Sequence, residues 1–193
     1  MNGLDAVKAA TWDLHTRAER SGIIADILAG RANDAGVALL LRNLLPVYEA
    51  LDTSPAGHPA LARTGAIRAG LETLAPDHDP SLLPAGSAYA KAVRIADPPS
   101  LLAHAYVRYL GDINGGLLMQ RRLVACIGPQ AEALTLHLYP DIADLPAFKR
   151  DYRQALDDAV RSMDLDLVIA GARRAFAMNI ELSEAVQAEA AHP

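Results

Sequence analysis

Tyr106-Val-Arg-Tyr-Leu-Gly-Asp-Ile-Asn-Gly-Gly116 is the stretch on which the reading of this chain turns. It lies within residues 100–126, which otherwise read as one long buried helix. Leu102, Tyr106, Tyr109, Leu110, Ile113, Leu117 and Val124 recur there at helical spacing, with no proline after Pro99. Into that helix the sequence sets Gly111, Gly115 and Gly116, together with Asp112. A glycine inside a helix costs about 1 kcal/mol relative to alanine, so the three sacrifice roughly 3 kcal/mol of propensity. Three explanations satisfy such a run. Asp-x-Asn-Gly-Gly signals a turn between two helices, glycines four apart let another helix pack closely, and bare backbone admits a ligand lying flat against it. The motif by itself leaves all three open.

The rest of the chain narrows the class. Its 193 residues suffice for one domain with a sizeable core, and residues 1–193 are read as such, the last few disordered. About half the residues are apolar, alanine and leucine dominate, and no run shows the period-two alternation of a strand. A net charge of −5 with no basic stripe argues against nucleic acid as a partner. The lone Cys126 excludes an internal disulfide and reads as a small buried hydrophobe. Nothing resembles a signal peptide or approaches the roughly 20 apolar residues of a membrane span, so a cytoplasmic protein without stable membrane association is expected.

Helix signals follow one another along the chain. Leu4, Val7, Thr11, Leu14 and Ala18 form an apolar stripe over residues 4–20. His15 stands at its edge, and Glu19 lies one turn on. That pair reads either as an ordinary ion pair or as a metal-binding histidine whose second ring nitrogen is held by a carboxylate. No zinc-type partner spacing accompanies it, but a haem-type iron needs only one axial histidine. A short helix over 23–28 closes at Gly30. Asn33-Asp34 caps a helix running to about Leu51, which Pro46 bends. A loop over 53–59 precedes a helix from about Ala60 to Leu74. Segments 75–80 and 84–86 read as surface turns, with His58, His78 and His192 solvated. A helix over 87–96 follows, and Pro99 suits the first turn of the glycine-bearing helix. Beyond Gly128-Pro129 a short helix runs to about His137. Asp144 and Pro146 then start a helix to Ser162, where Lys149 and Arg153 share a face, either solvated or presenting two cations to an anion. The last helix, about Leu165 to Ala190, turns Phe176, Ile180 and Val186 inward and sets the amide of Asn179 among apolar neighbours, where it must find partners. The predicted fold is all-α, a single-domain bundle of seven to nine helices with a kinked glycine-bearing helix.

Four segments together resemble the heme oxygenase family of the biliverdin-producing, bacterial type. Ala10-Thr-Trp-Asp-Leu-His-Thr-Arg-Ala-Glu19 is similar to its proximal-histidine helix, and Ala105 to Gly116 to its distal-helix signature. Phe148-Lys-Arg-Asp-Tyr-Arg153 is similar to the segment supplying propionate-binding cations, and Ala175-Phe-Ala-Met-Asn-Ile-Glu-Leu182 to its C-terminal helix. Order and separations agree over nearly the whole chain.

The resemblance implies heme as substrate and cofactor, dioxygen, and an external electron donor such as a ferredoxin, a flavoprotein or another reductase. The products implied are biliverdin, carbon monoxide and ferrous iron. It implies His15 as the axial ligand of the iron, with Glu19 hydrogen-bonding its far nitrogen. Gly111, Gly115 and Gly116 would lie over the opposite face of the ring, and Tyr106 and Phe176 beside it. Lys149, Arg153 and Lys8 would meet the propionates. Asp112 would order water near iron-bound oxygen, with Tyr48, Arg108 and Asn179 holding that network. The chain departs from the common pattern at Leu117, where glutamine is frequent, at Asn114, where serine is, and at Trp12, where some members carry lysine. Two other classes use related architecture: a heme-binding module that stores or senses without degrading, and a thiaminase-like enzyme, which needs a nucleophile in the pocket.

Overall fold

A computed structural model describes residues 3–75 and 82–191. The expected turn around His78, and the expectations for His192 and the last residues, fall outside them. The described residues hold no strand. They form α1 (Gly3–Ala18), α2 (Gly22–Leu28), α3 (Asp34–Asp52), α4 (Thr64–Leu74), α5 (Pro84–Arg94), α6 (Pro98–Ala105), α7 (Gly111–Ile127), α8 (Leu145–Arg161) and α9 (Leu165–Ala190). A π-helical turn, Tyr106–Leu110, joins α6 to α7, and short 3₁₀ stretches cover Pro59–Leu61 and Gly128–Ala133.

Helix starts are set by side chains that accept the free backbone donors of the first turn. Asn33 accepts from Gly36 N at 2.9 Å, Asp97 from Ser100 N at 2.9 Å and Asp144 from Ala147 N at 2.9 Å. Asp164 does the same for α9 through Asp166 N and Leu167 N. The axis of the bundle is α9, against which α1, α2, α3, α5 and α6 all pack. One close approach there is at Gly22, whose φ is +57° and where a Cβ would stand 2.2 Å from the Ser183 backbone. Only glycine supplies both that conformation and that clearance.

Several expectations are corrected. Residues 100–126 are not one regular helix, because the wider π turn interrupts them, an irregularity that redirects a helix axis. No turn breaks the chain at Asp112–Gly116, which sits inside α7. Leu117 and Val124 are not buried: Leu117 is 55% exposed and Val124 37%. Beyond Gly115 that face of α7 borders solvent rather than another helix. The helix expected from Ala60 is a 3₁₀ turn followed by α4, whose first amides are capped instead by Asp52, which accepts from Arg63 N and Thr64 N. Pro84-Ala-Gly86 is no surface turn but the start of α5, with Gly86 packed against Asn43. The helix expected to reach His137 ends as a 3₁₀ stretch at Ala133. Cys126 is half-buried, with its sulfur 3.5 Å from Ile27 O. No helix among the described residues is long and apolar enough to cross a membrane.

Candidate functional site

A cavity of about 570 Å³ opens between α1, α2, α3, the π turn, α7 and α9, a size typical of small-molecule and cofactor pockets. Its walls are mostly apolar, with Leu40, Leu44, Leu118, Met119, Leu123 and Leu136 among them.

On α1, His15 lines the cavity, and its Nδ1 is buried without a hydrogen-bond partner. Glu19, one turn on, approaches that nitrogen to 3.9 Å, outside hydrogen-bonding range. Aromatic neighbours set the plane of the imidazole. The Trp12 indole stacks parallel to it with centroids 5.3 Å apart, and Phe176 of α9 meets it edge-on at 5.9 Å. Trp12 is itself 55% exposed and lies at the rim, with Lys8 Nζ 5.6 Å from its ring centre. Arg153 reaches the same rim from α8, where it donates to Asp5 Oδ1 at 2.6 Å.

Across the cavity, Gly111 and Gly115 present bare backbone. A Cβ built on either would meet nothing within 4 Å. The helix therefore gives up side chains here without gaining a packing partner, which removes close helix packing as the reason for these two glycines. Gly116 differs. Its Cβ would stand 3.1 Å from His137 O, so it serves packing and does not line the cavity.

Between the two glycines Asp112 points inward, and a connected set of side chains holds it. The Tyr48 hydroxyl donates to Asp112 Oδ2 and accepts from Arg108 Nε at 3.0 Å and Nη2 at 2.6 Å. That occupies its one proton and both lone pairs, so its orientation is fixed. Arg108 Nη1 donates to Asn179 Oδ1 at 2.8 Å, and Nη2 lies 3.6 Å from Asp112 Oδ1. Arg108 and Asp112 are 8% and 9% exposed and Tyr48 fully buried, so these contacts stand in a medium where charges act strongly. Burial pushes the Tyr48 hydroxyl well above its ordinary pKa, and it stays a donor. Burial disfavours the Arg108 charge, yet Tyr48 and Asp112 beside it outweigh that and raise its pKa further. Asp112 Oδ1 carries no hydrogen bond from the described residues, and Asp112 is on the cavity wall.

The structure thus gathers His15, Glu19, Lys8, Tyr106, Arg108, Gly111, Asp112, Gly115, Arg153, Phe176 and Asn179 around one space. Tyr48 stands directly behind it. Lys149 and Gly116 are not on its wall. Of the three departures, Asn114 and Trp12 line the cavity and Leu117 does not. Sequence reasoning missed His137, which is 9% exposed, lines the cavity and has a buried Nδ1 with no partner. Its only signal was a histidine flanked by leucines in Leu136-His-Leu138. Cys126 is not on the wall. The features together suit a largely apolar ligand, with one histidine open to a metal and cations at the rim.

Comparison with known proteins agrees. A family model described as heme oxygenase matches residues 1–185. Heme oxygenase 1 of the cyanobacterium Nostoc is 28% identical over 205 residues, covering 96% of this chain and 86% of that protein. A heme oxygenase of the fish Takifugu rubripes is 30% identical, covering 95% and 73%. Among solved structures, heme oxygenase-1 from Synechocystis in complex with heme superposes with a TM-score of 0.85 at 26% identity, covering 98% of this chain and 94% of that one.

Proposed function

This chain belongs to the heme oxygenase family, and from that premise we propose how its own residues hold heme and serve its cleavage. The activity is the cleavage of heme at a meso carbon, dependent on dioxygen and a reductant, to biliverdin, carbon monoxide and ferrous iron. The observation that carries the residue assignment is the single cavity walled by His15 on one side and by the bare backbone of Gly111 and Gly115 on the other.

His15 is the group that would hold the iron. Its buried Nδ1 faces Glu19, and the Trp12 and Phe176 rings fix the imidazole plane, which is how a neutral ligand is oriented. Gly111 and Gly115 keep the opposite face clear, so that a small molecule has room there to lean toward the ring edge. Lys8 and Arg153 stand at the rim to meet the propionates. Arg153 would give up Asp5 for a propionate at little cost, because both members of that pair are near half exposed. Lys149, off the wall, contributes positive potential only. Heme supplies the redox chemistry itself when bound, its iron activating the dioxygen that attacks the macrocycle.

The chain's chemical contribution is proton supply at Asp112. Oδ2 is held by Tyr48, while Oδ1 is left without a protein hydrogen bond on a residue of the cavity wall, so the carboxylate can order a water relay without touching iron. Arg108 and Asn179 keep Tyr48 in place. An external reductase, whether a ferredoxin, a flavoprotein or another donor, completes the cycle, and a cytoplasmic location suits that supply.

A storage or sensing module has no use for so large a buried polar set, and a thiaminase-like enzyme lacks a nucleophile here, since Cys126 is off the cavity wall. The test is to add hemin, a reductant and air to the purified chain. The Soret band is expected to give way to biliverdin absorption with carbon monoxide released. A Soret band that persists through turnover conditions would sink the enzyme reading. His15→Ala should abolish turnover and change the axial ligation of ferric heme, and a variant spectrum identical to wild type would remove His15 from the iron.

A further inference from the structure

His137 is the one buried histidine on the cavity wall that the reading above leaves without a task. It is placed by α7, since Gly116 lies one turn after Asp112 on the same helix face and packs directly against His137 O and Cβ. Its Nδ1 is buried and meets no hydrogen-bonding group among the described residues. Buried polar atoms in folded proteins find a partner in protein or in ordered water. The residue lines a cavity roomy enough for several waters, and a second polar residue, Asp112, lines the same space. An ordered water needs at least two polar partners, and this pair supplies them. An apolar residue would suit the neighbouring leucines better, so the imidazole has been placed against the grain of its surroundings.

We propose that His137 is a positioning residue of the distal pocket, holding through its imidazole edge on the cavity a water of the chain that Asp112 orders and so fixing the route by which protons enter. The inference rests on the proposed function, because it gives that water a use. Burial, reinforced by the positive charges of Arg108 and Arg63 and opposed by Asp112, lowers the imidazole pKa. The ring therefore stays neutral, able to accept from water at one nitrogen and donate at the other. It shuttles no net charge and forms no bond to the substrate.

Wild-type turnover of hemin tests the enzyme reading alone. Given turnover, His137→Phe keeps an aromatic ring of similar shape and removes both nitrogens, whereas His137→Gln keeps a polar atom in nearly the same place. His137→Phe is expected to bind hemin with unchanged affinity, to form biliverdin roughly tenfold more slowly, and to show an altered solvent deuterium isotope effect. His137→Gln is expected to restore most of the rate. In the full chain without heme, long-range proton–nitrogen NMR should show a neutral His137 ring with magnetisation transfer from water. A His137→Phe enzyme with the wild-type rate and isotope effect would overturn the proposal. So would a Gln variant as slow as the Phe variant, or a His137 ring with no transfer from water.

Discussion

Arg108 and Asn179 stand 71 positions apart in the chain, and a 2.8 Å hydrogen bond from the guanidinium Nη1 to the amide Oδ1 ties the π turn to α9. Through Arg108 and Tyr48 that bond reaches Asp112, so an amide on the last helix helps set a carboxylate in the middle of the chain. Asn179→Ala would leave a buried guanidinium N–H without its acceptor, at a cost of about 1–3 kcal/mol. Urea melts of the heme-free protein should show that loss. Single-turnover biliverdin formation should slow more than hemin affinity falls, and an equal loss in both would mean that Asn179 acts on binding alone.

Asp112→Ala removes the carboxylate from the cavity wall but leaves His15, Gly111, Gly115 and the rim cations in place. Hemin should bind with nearly wild-type affinity while meso cleavage is suppressed about 100-fold, the range for loss of a positioned acid–base group. The variant also leaves Arg108 without its nearest negative charge, so some stability is lost with it. Spectral titration followed by turnover under reductant separates the two effects. Unchanged turnover would remove Asp112 from the proton relay.

The two glycines that face open space behave oppositely in stability and in function. Gly115→Ala places a methyl where nothing lies within 4 Å and gains about 1 kcal/mol of helix propensity, so the heme-free protein should melt at a higher temperature. Hemin affinity should fall, and Gly115→Leu should abolish binding. Gly116→Ala gains the same helix propensity but meets His137 O at 3.1 Å, so it should stabilise less than Gly115→Ala, with little effect on hemin. Thermal melts and hemin titrations of the three variants check the pattern. A Gly115→Leu protein that binds hemin like wild type would show that the ring does not lie there.

The helices were legible in the sequence wherever a cap and an apolar stripe coincided, as at Asn33 and Asp144. They were misread where a proline inside a loop-like segment was in truth a first-turn residue, as at Pro84. The cluster of glycines was visible but ambiguous, because a turn and a ligand-facing helix ask for the same residues. Only the empty space beside Gly111 and Gly115 separates them. Spacing alone could not show that Tyr48 holds Asp112 across 64 positions, nor that Gly116 serves His137 rather than the ring. Lys149 and Arg153 share a helix face as expected, yet only Arg153 reaches the cavity rim, since the distance from α8 to the rim is not written in a four-residue spacing.

A second buried histidine, His104 of α6, gives the fold a pH dependence independent of the site. It is 3% exposed, its ring lies 5.6 Å from that of Tyr89, and its Nδ1 has no partner among the described residues. Burial, with the positive charge of Arg174 adding to it, lowers its pKa from 6.5 to about 4. In the unfolded chain the imidazole takes up a proton near pH 6.5, while in the native state it stays neutral until about pH 4. Between those values the unfolded state binds more protons, so stability rises with pH. The contribution is complete above about pH 6.5 and is lost as pH falls toward 4, amounting to about 3 kcal/mol over the window. His104→Leu removes the titration and should flatten the stability profile between pH 6.5 and 4 while changing little at pH 7.5. Urea midpoints of both proteins across that range decide it, and parallel profiles would show that His104 is not the group responsible.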